Sequence, residues 1–225
     1  MKTCVCLQHV PFEGPGHLHR ILEDLGYRIE KRVVPTDGLP KSPGDFLLVM
    51  GGPMSVNDPD EWIAQETEFI RKAVEAGTPY LGICLGSQFL AKAMGGRVSP
   101  GTSPEIGMTT LQRTDDGAND PAFGKFPGVF EAFEWHGEGI ALPPHAVRLA
   151  GSVLFGVQAF RVGTRAYGFL FHVEVGPDNV AALCLNCEAD LIRARREAAE
   201  VAEEAAPHFH LMQGWLCSFI GSLLN

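Results

Sequence analysis

Short apolar runs recur along the first hundred residues, and each is separated from the next by a helical pattern or a turn. Strand-like runs occupy Thr3–Gln8, Tyr27–Val34, Phe46–Met50 and Pro79–Ile83. Helical periodicity marks His17–Leu25, Glu61–Ala76 and Ser87–Met94. Strands that alternate with helices at this spacing predict βαβ units and a parallel sheet.

The second half of the chain has a different pattern, in which short strand-like runs follow one another with turns between them. These runs are Met108–Gln112, Val129–Trp135, Val147–Ala150, Val157–Arg161 and Ala166–Phe171. The clusters at 114–120 and 142–145 are typical of turns, and the chain becomes helical again from about Asn179. With no long linker, we expect one domain over residues 1–225. Its predicted fold is α/β, with an open, mostly parallel, flavodoxin-like sheet flanked by helices and a smaller antiparallel extension.

Composition excludes several classes of function. The formal net charge of -9 argues against a nucleic-acid partner, and the one arginine cluster, at 193–196, lies in an acidic helix. No run approaches the roughly 20 apolar residues that cross a bilayer, so we expect no membrane partner. The first residues read as a strand and lack a signal-peptide cleavage site, so we expect a cytoplasmic protein whose six cysteines are free thiols.

Metal and cofactor signals are weak. Cys184 and Cys187 form a lone C-x-x-C without the second ligand pair that a zinc site requires. Four further histidines are interpreted as ordinary surface or half-buried side chains, namely His17, His19, His208 and His210. The chain has no P-loop and no G-x-G-x-x-G. We therefore expect neither a metal nor a cofactor.

The strongest chemical signal is the G-x-C-x-G of "YLGICLGSQFL", in which Gly82 and Gly86 flank Cys84. A strand that turns sharply into a helix strains the turn residue and leaves no room for side chains two positions away. Such a turn projects the sulfur beyond the carboxyl end of the sheet. The helix N-terminus favours a thiolate there, and the N–H of Leu85 is placed to stabilise an oxyanion. Chance occurrence and simple packing remain the alternative for this motif alone.

Two other segments supply what a thiol nucleophile needs. In "GFLFHVEV", His172 and Glu174 are two residues apart at a strand end and so point to the same side. His172 can accept the thiol proton, and Glu174 can fix the tautomer of the imidazole. In "LLVMGGPMSV" an apolar strand ends in glycines, and the N–H of Gly52 is a candidate second oxyanion donor. Either segment alone would be read as an ordinary strand end or tight turn.

Taken together, these motifs resemble the class I (triad) glutamine amidotransferase family, and most closely its stand-alone, GMP-synthase-like domains. "MGGPMSV", "LGICLGSQFLAKAMGG", "EIGM", "WHGE" and "FHVEV" occur in the family's order over roughly residues 10–175. The resemblance implies a glutaminase with glutamine as substrate. Cys84 would attack the side-chain amide, release ammonia and leave a γ-glutamyl thioester that water hydrolyses.

The resemblance also implies roles for particular residues. Cys84, His172 and Glu174 match the triad, and Gly52 and Leu85 match the oxyanion donors. The substrate-binding positions that match are Gln88, Trp135, His136 and Gly137; Trp135 could equally be a core residue. The chain departs from the family pattern at Val173, where proline is usual, and at Leu170, where glutamine is usual. Neither position carries the chemistry.

Three functions remain open from the sequence. The first is a glutamine amidotransferase that delivers ammonia to an acceptor on a synthetase partner protein. The second is a γ-glutamyl hydrolase or peptidase, which forms the same thioester but releases a larger amine. The third is a non-catalytic regulatory module, against which the presence of Cys84, His172 and Glu174 argues.

Overall fold

A single nine-stranded mixed sheet organises the chain. The computed structural model describes residues 1–225. The strands are β1 (Lys2–Gln8), β2 (Tyr27–Val33), β3 (Phe46–Val49), β4 (Tyr80–Ile83), β5 (Arg97–Arg113), β6 (Val129–Ala141), β7 (Val147–Gly151), β8 (Ala159–Val162) and β9 (Ala166–Phe169). Their order across the sheet is β2-β1-β3-β4-β9-β8-β7-β5-β6.

The first five strands in that order, from β2 to β9, are mutually parallel. In β3 all four side chains are buried, and in β1 the last five are. Successive residues of a strand face opposite sides, so such continuous burial requires helices on both faces of the sheet. Two separate apolar clusters lie on these faces, with Phe46 and Leu48 in one and Leu47 and Val49 in the other.

The remaining strands pair antiparallel from β9 out to β6. The predicted α/β fold with a parallel sheet and an antiparallel extension is thus confirmed. Strand β5 begins eleven residues before the predicted Met108, and β6 continues past Trp135 to Ala141. These extra segments are rich in glycine and proline and largely exposed, so they lack the apolar signal that marks a buried strand.

Nine helices flank the sheet or follow it. They are α1 (His17–Asp24), α2 (Val34–Asp37), α3 (Glu61–Glu75), α4 (Leu85–Ala93), α5 (Asp115–Asn119), α6 (Pro177–Asn186), α7 (Glu188–Ala194), α8 (Ala198–Ala205) and α9 (Phe209–Leu224). The predicted turn at 114–120 contains α5, because the Thr114 hydroxyl accepts a hydrogen bond from the N–H of Gly117 and so caps a helical turn.

No helix combines the length and the apolar character needed to cross a membrane.

The carboxyl ends of four adjacent parallel strands place candidate site residues side by side. His9 follows β1, Gly51 and Gly52 follow β3, Cys84 follows β4, and His172 comes shortly after β9. Because β1, β3, β4 and β9 are neighbours in the sheet, segments far apart in sequence meet at one edge.

Candidate active site

Cys84 occupies a strained turn between β4 and α4. Its backbone has φ 50° and ψ -109°, a region that side chains with a Cβ rarely adopt. A Cβ on Gly82 would collide with the carbonyl of Gly86, and one on Gly86 would lie 2.7 Å from the carbonyl carbon of Val49. The glycines that flank Cys84 are therefore required by close backbone packing, as the G-x-C-x-G pattern predicts.

His172 and Glu174 lie in contact beside this turn. The Nδ1 atom of His172 is 2.8 Å from Oε1 of Glu174, and both side chains are 3% exposed. Burial opposes a charge on the imidazole, but Glu174 and the nearby Cys84 raise the pKa of His172 well above its usual value. Nε2 of His172 is buried and has no hydrogen-bond partner. The Cys84 thiol donates instead to the carbonyl of Trp135, at 3.6 Å. No protein group occupies Nε2, so it is available to exchange a proton with Cys84 or with a bound substrate.

Two backbone N–H groups adjoin Cys84. Leu85 is the first residue of α4, so its N–H has no intrahelical acceptor. The N–H of Gly52 donates to no other group of the protein. A Cβ on Gly52 would lie 3.0 Å from Cδ2 of Leu85, which shows how closely the two segments approach. Both residues predicted as oxyanion donors therefore have an N–H without an acceptor in the protein, and the segments that carry them are in close contact.

A cavity of about 360 Å³ opens beside Cys84. It is lined by all the residues predicted to contact substrate, namely Gln88, Trp135, His136 and Gly137. Gln88 is 4% exposed and its side-chain amide makes no hydrogen bond within the protein. The indole N–H of Trp135 donates to Oδ2 of Asp190 on α7 at 3.3 Å. A helix residue outside the sheet therefore holds the orientation of this ring.

The imidazole of His136 belongs to a buried charge cluster behind the cavity wall. Its Nε2 lies 3.1 Å from Glu134 and 3.4 Å from Glu105, and the amide of Gln158 donates to Glu105 at 2.6 Å. Burial acts to lower the pKa of His136, but the two carboxylates raise it to about 10. Burial also raises the pKa of Glu134 to about 7. The protonated side chain of His136 therefore packs behind the cavity and stabilises its wall. Both of its nitrogens are directed at protein groups.

The same three side chains form the group of donors best placed for a cation. One ligand atom from each of Glu105, Glu134 and His136 falls within 4.8 Å of the others. With the pKa of His136 raised to about 10, the imidazole holds a proton at neutral pH and supplies a positive charge beside the carboxylates. Cys184 and Cys187 are free thiols that no other ligand joins in such a group.

Several residues at the site were missed by sequence reasoning. His9, Glu66 and Glu13 lie close to the glycine pair after β3. Glu13 also lines the cavity, and burial raises the pKa of its carboxyl group. The position of His9 directly after a buried strand was a usable signal. Glu66 on α3 offered none, because its partner lies 57 residues away.

Comparison with known proteins identifies the family. The family model of the class-I glutamine amidotransferases matches residues 17–186. The glutamine amidotransferase-like protein YfeJ of Salmonella typhimurium is 31% identical, covering 96% of this chain and 94% of that protein. One of the subunits of the glutamine-hydrolyzing GMP synthase of Sulfolobus acidocaldarius is 31% identical, covering 74% of this chain and 88% of the relative.

The solved structures agree with this result. The crystal structure of a glutamine amidotransferase from Thermotoga maritima superimposes with a TM-score of 0.91 and 26% identity, covering 100% of this chain and 98% of that one. The order of the motifs, the mixed sheet and the turn at Cys84 thus agree with the sequence matches. The chain belongs to the class I glutamine amidotransferase family, a family of enzymes.

Proposed function

We propose that this protein hydrolyses the side-chain amide of glutamine through a thioester on Cys84. The observation that carries the proposal is the His172–Glu174 pair, 2.8 Å apart and buried, beside a cysteine held at positive φ. A nucleophile, a base and an orienting carboxylate at two neighbouring strand ends are what acyl transfer by a thiol requires.

The first step follows from the positions of these atoms. Nε2 of His172 accepts the thiol proton, and its Nδ1–H remains hydrogen bonded to Glu174, which stabilises the imidazolium. The Cys84 sulfur then bonds to the amide carbon of the substrate, and the carbonyl electron pair moves to oxygen. The N–H groups of Gly52 and Leu85 would donate to this oxyanion.

Collapse of the tetrahedral intermediate completes acylation. The carbon–nitrogen bond breaks, the nitrogen takes the proton from His172, and ammonia leaves. A water molecule, deprotonated by the same imidazole, then attacks the thioester and releases glutamate. Gln88, which lines the cavity, would bind the amino-acid end of glutamine, and Trp135, His136 and Gly137 would line the rest of the substrate pocket.

The ammonia acceptor is proposed to lie on a synthetase partner protein. The similarity to one of the subunits of a GMP synthase supports this part of the proposal, because that relative is by name one part of a larger enzyme. We propose no cofactor for the hydrolytic step, because the triad and the two N–H groups supply the nucleophile, the proton transfers and the charge stabilisation.

A second candidate is a γ-glutamyl hydrolase that releases a larger amine. The cavity supports it, because its lining includes Glu13, Asp190 and Arg193 in addition to the predicted glutamine contacts. A γ-glutamyl amide with a larger amine could use this additional surface.

One substrate screen separates these functions. Purified protein is incubated with glutamine, γ-glutamyl alkylamides and γ-glutamyl peptides, and glutamate and the released amine are quantified. The proposal expects turnover of glutamine that disappears in Cys84→Ser. Preference for the larger amides would favour the hydrolase, and no turnover of any γ-glutamyl compound would refute both.

A further inference from the structure

His9 and Glu66 form a buried pair directly behind the glycines that follow β3. Nε2 of His9 is 3.1 Å from Oε1 of Glu66, and neither side chain is exposed to solvent. Nδ1 of His9 lies 2.9 Å from the carbonyl oxygen of Gly51. The ring of His9 also stacks on Phe89, with 5.4 Å between centroids and 22° between planes. His9 therefore has a fixed orientation, with one nitrogen on a carboxylate and the other on a backbone carbonyl.

The carboxylate of Glu66 favours the protonated form of His9, which determines the hydrogen bonds that His9 makes. Burial acts to lower the pKa of His9, but Glu66 and the carbonyl of Gly51 raise it. In the protonated imidazole both nitrogens are donors. The ring then donates to Glu66 on one side and to Gly51 on the other, and a charged donor makes the stronger hydrogen bond.

The carbonyl of Gly51 and the N–H of Gly52 belong to the same peptide group. A trans peptide is planar, and its C=O and N–H point in opposite directions. A donor that holds the carbonyl of Gly51 therefore also determines the direction of the N–H of Gly52. That N–H has no acceptor in the protein, and Gly52 lines the cavity together with Cys84.

This peptide needs a restraint. Two successive glycines permit backbone conformations that other residues exclude, so the Gly51–Gly52 peptide can rotate at little cost. A rotated peptide would present a carbonyl oxygen, instead of an N–H, toward the position of the oxyanion. His9 lies close enough to act on this peptide, because a Cβ built on Gly52 would be 2.9 Å from Cβ of His9.

We propose that His9, held by Glu66, is a positioning residue that keeps the N–H of Gly52 directed at the oxyanion. The inference rests on the proposed function, since it presumes that Gly52 donates to an oxyanion. His9 acts through the Gly51–Gly52 peptide and does not touch the substrate. Glu66 acts one step further away, by fixing the ring.

The test compares reactions at Cys84 that do and do not form an oxyanion. A chloroketone analogue of glutamine reacts by addition of the Cys84 sulfur to its carbonyl, which forms an oxyanion, before chloride leaves and a thioether remains, whereas iodoacetamide alkylates sulfur by direct displacement of iodide. His9→Ala should slow chloroketone inactivation and the kcat for glutamine by about 10²-fold, the effect of losing one oxyanion donor. Its KM and its rate of alkylation by iodoacetamide should stay within about threefold of the parent's.

Glu66→Gln keeps the shape of the side chain. It is a second test of the inference that does not depend on the folding of His9→Ala. It should lower kcat by about 10-fold, and the double variant should be no slower than His9→Ala, because the two residues act in series. Glu68→Gln, a matched change on the exposed side of α3, should leave all four measurements unchanged.

The possible results are distinguishable. Equal losses with the chloroketone and iodoacetamide would mean that His9 supports the position of Cys84 itself, and they would overturn the inference, as would parent-like rates in both variants. A parent protein that neither turns over glutamine nor reacts with the chloroketone refutes the proposed function and this inference with it.

Discussion

Gly82 and Gly86 approach so closely across Cys84 that a Cβ on the first would overlap the carbonyl of the second. The contact forms where the end of β4 meets the first turn of α4. It is supported by the hydroxyl of Tyr80, which donates to the carbonyl of Gly86 at 2.7 Å in a fully buried position. The strained conformation of Cys84 is thus enforced by its neighbours, and this allows a positive φ to persist at a non-glycine residue.

The first prediction tests this backbone contact. Gly86→Ala places a methyl group against the carbonyl of Val49, so we expect a loss of about 3 kcal/mol or more in the free energy of unfolding, with loss of activity. Urea denaturation followed by circular dichroism measures the change. Gly214→Ala in α9 is the matched control, because no atom lies within 4 Å of its added Cβ. It should be neutral or slightly stabilising. A tolerated Gly86→Ala would contradict the close approach.

The second prediction concerns which cysteine reacts. Cys84 should be labelled first by a chloroketone analogue of glutamine near neutral pH, because it lies at a helix N-terminus, beside His172 and in the cavity. Burial raises the pKa of Cys4, Cys6 and Cys187, which disfavours their thiolates. Peptide mass spectrometry locates the label. Cys217 is exposed and serves as the internal control, and earlier labelling of Cys217 or Cys184 would refute the assignment.

The third prediction concerns the unequal roles of His172 and Glu174. His172→Ala should abolish glutaminase turnover, because no other imidazole has a free nitrogen beside Cys84. Glu174→Gln should retain more activity, since Glu174 orients and stabilises the imidazole but transfers no proton. Steady-state release of glutamate measures both. Parent-like turnover in His172→Ala would disprove the triad.

The fourth prediction concerns the pH dependence of stability in the cluster behind the cavity. Folding raises the pKa of His136 from 6.5 to about 10 and that of Glu134 from 4.5 to about 7. Because both are raised, the stability they contribute is complete below the unfolded values and is lost as pH rises through the folded ones. The free energy of unfolding should therefore fall between pH 4.5 and about 7 through Glu134, and between 6.5 and about 10 through His136.

Glu134→Gln tests the sign of this dependence. Each unit of pKa shift corresponds to about 1.4 kcal/mol. Removing the carboxylate of Glu134 from beside His136 should therefore reduce the pH-dependent loss in the free energy of unfolding by an amount of that order. Melting temperatures from pH 5 to 10 provide the measurement. Glu131→Gln, on the same strand but 49% exposed, should follow the parent. A steeper fall in Glu134→Gln than in the parent would show that the sign is wrong.

The sequence by itself determined the elements that carry a local signal. Buried parallel strands are continuous apolar runs, so β1, β3 and β4 were predicted to within a residue or two. The strained turn at Cys84 was also predictable, because the small residues it requires lie within two positions of the cysteine. His172 and Glu174 were readable as a pair because alternate residues at a strand end share one side.

Only the tertiary structure decided which distant side chains meet. The sequence predicted His136 as part of a segment that lines the substrate pocket, but it did not show that the imidazole is directed at Glu105 and Glu134, where the pairing of β5 with β6 places Glu105 opposite His136. The contact of His9 with Glu66 joins the end of β1 to the middle of α3. Such contacts depend on the packing of whole elements, and periodicity along the chain carries no information about them. For the same reason, the contact of His9 with the carbonyl of Gly51, on which the proposed direction of the Gly52 N–H rests, became known only from the tertiary structure.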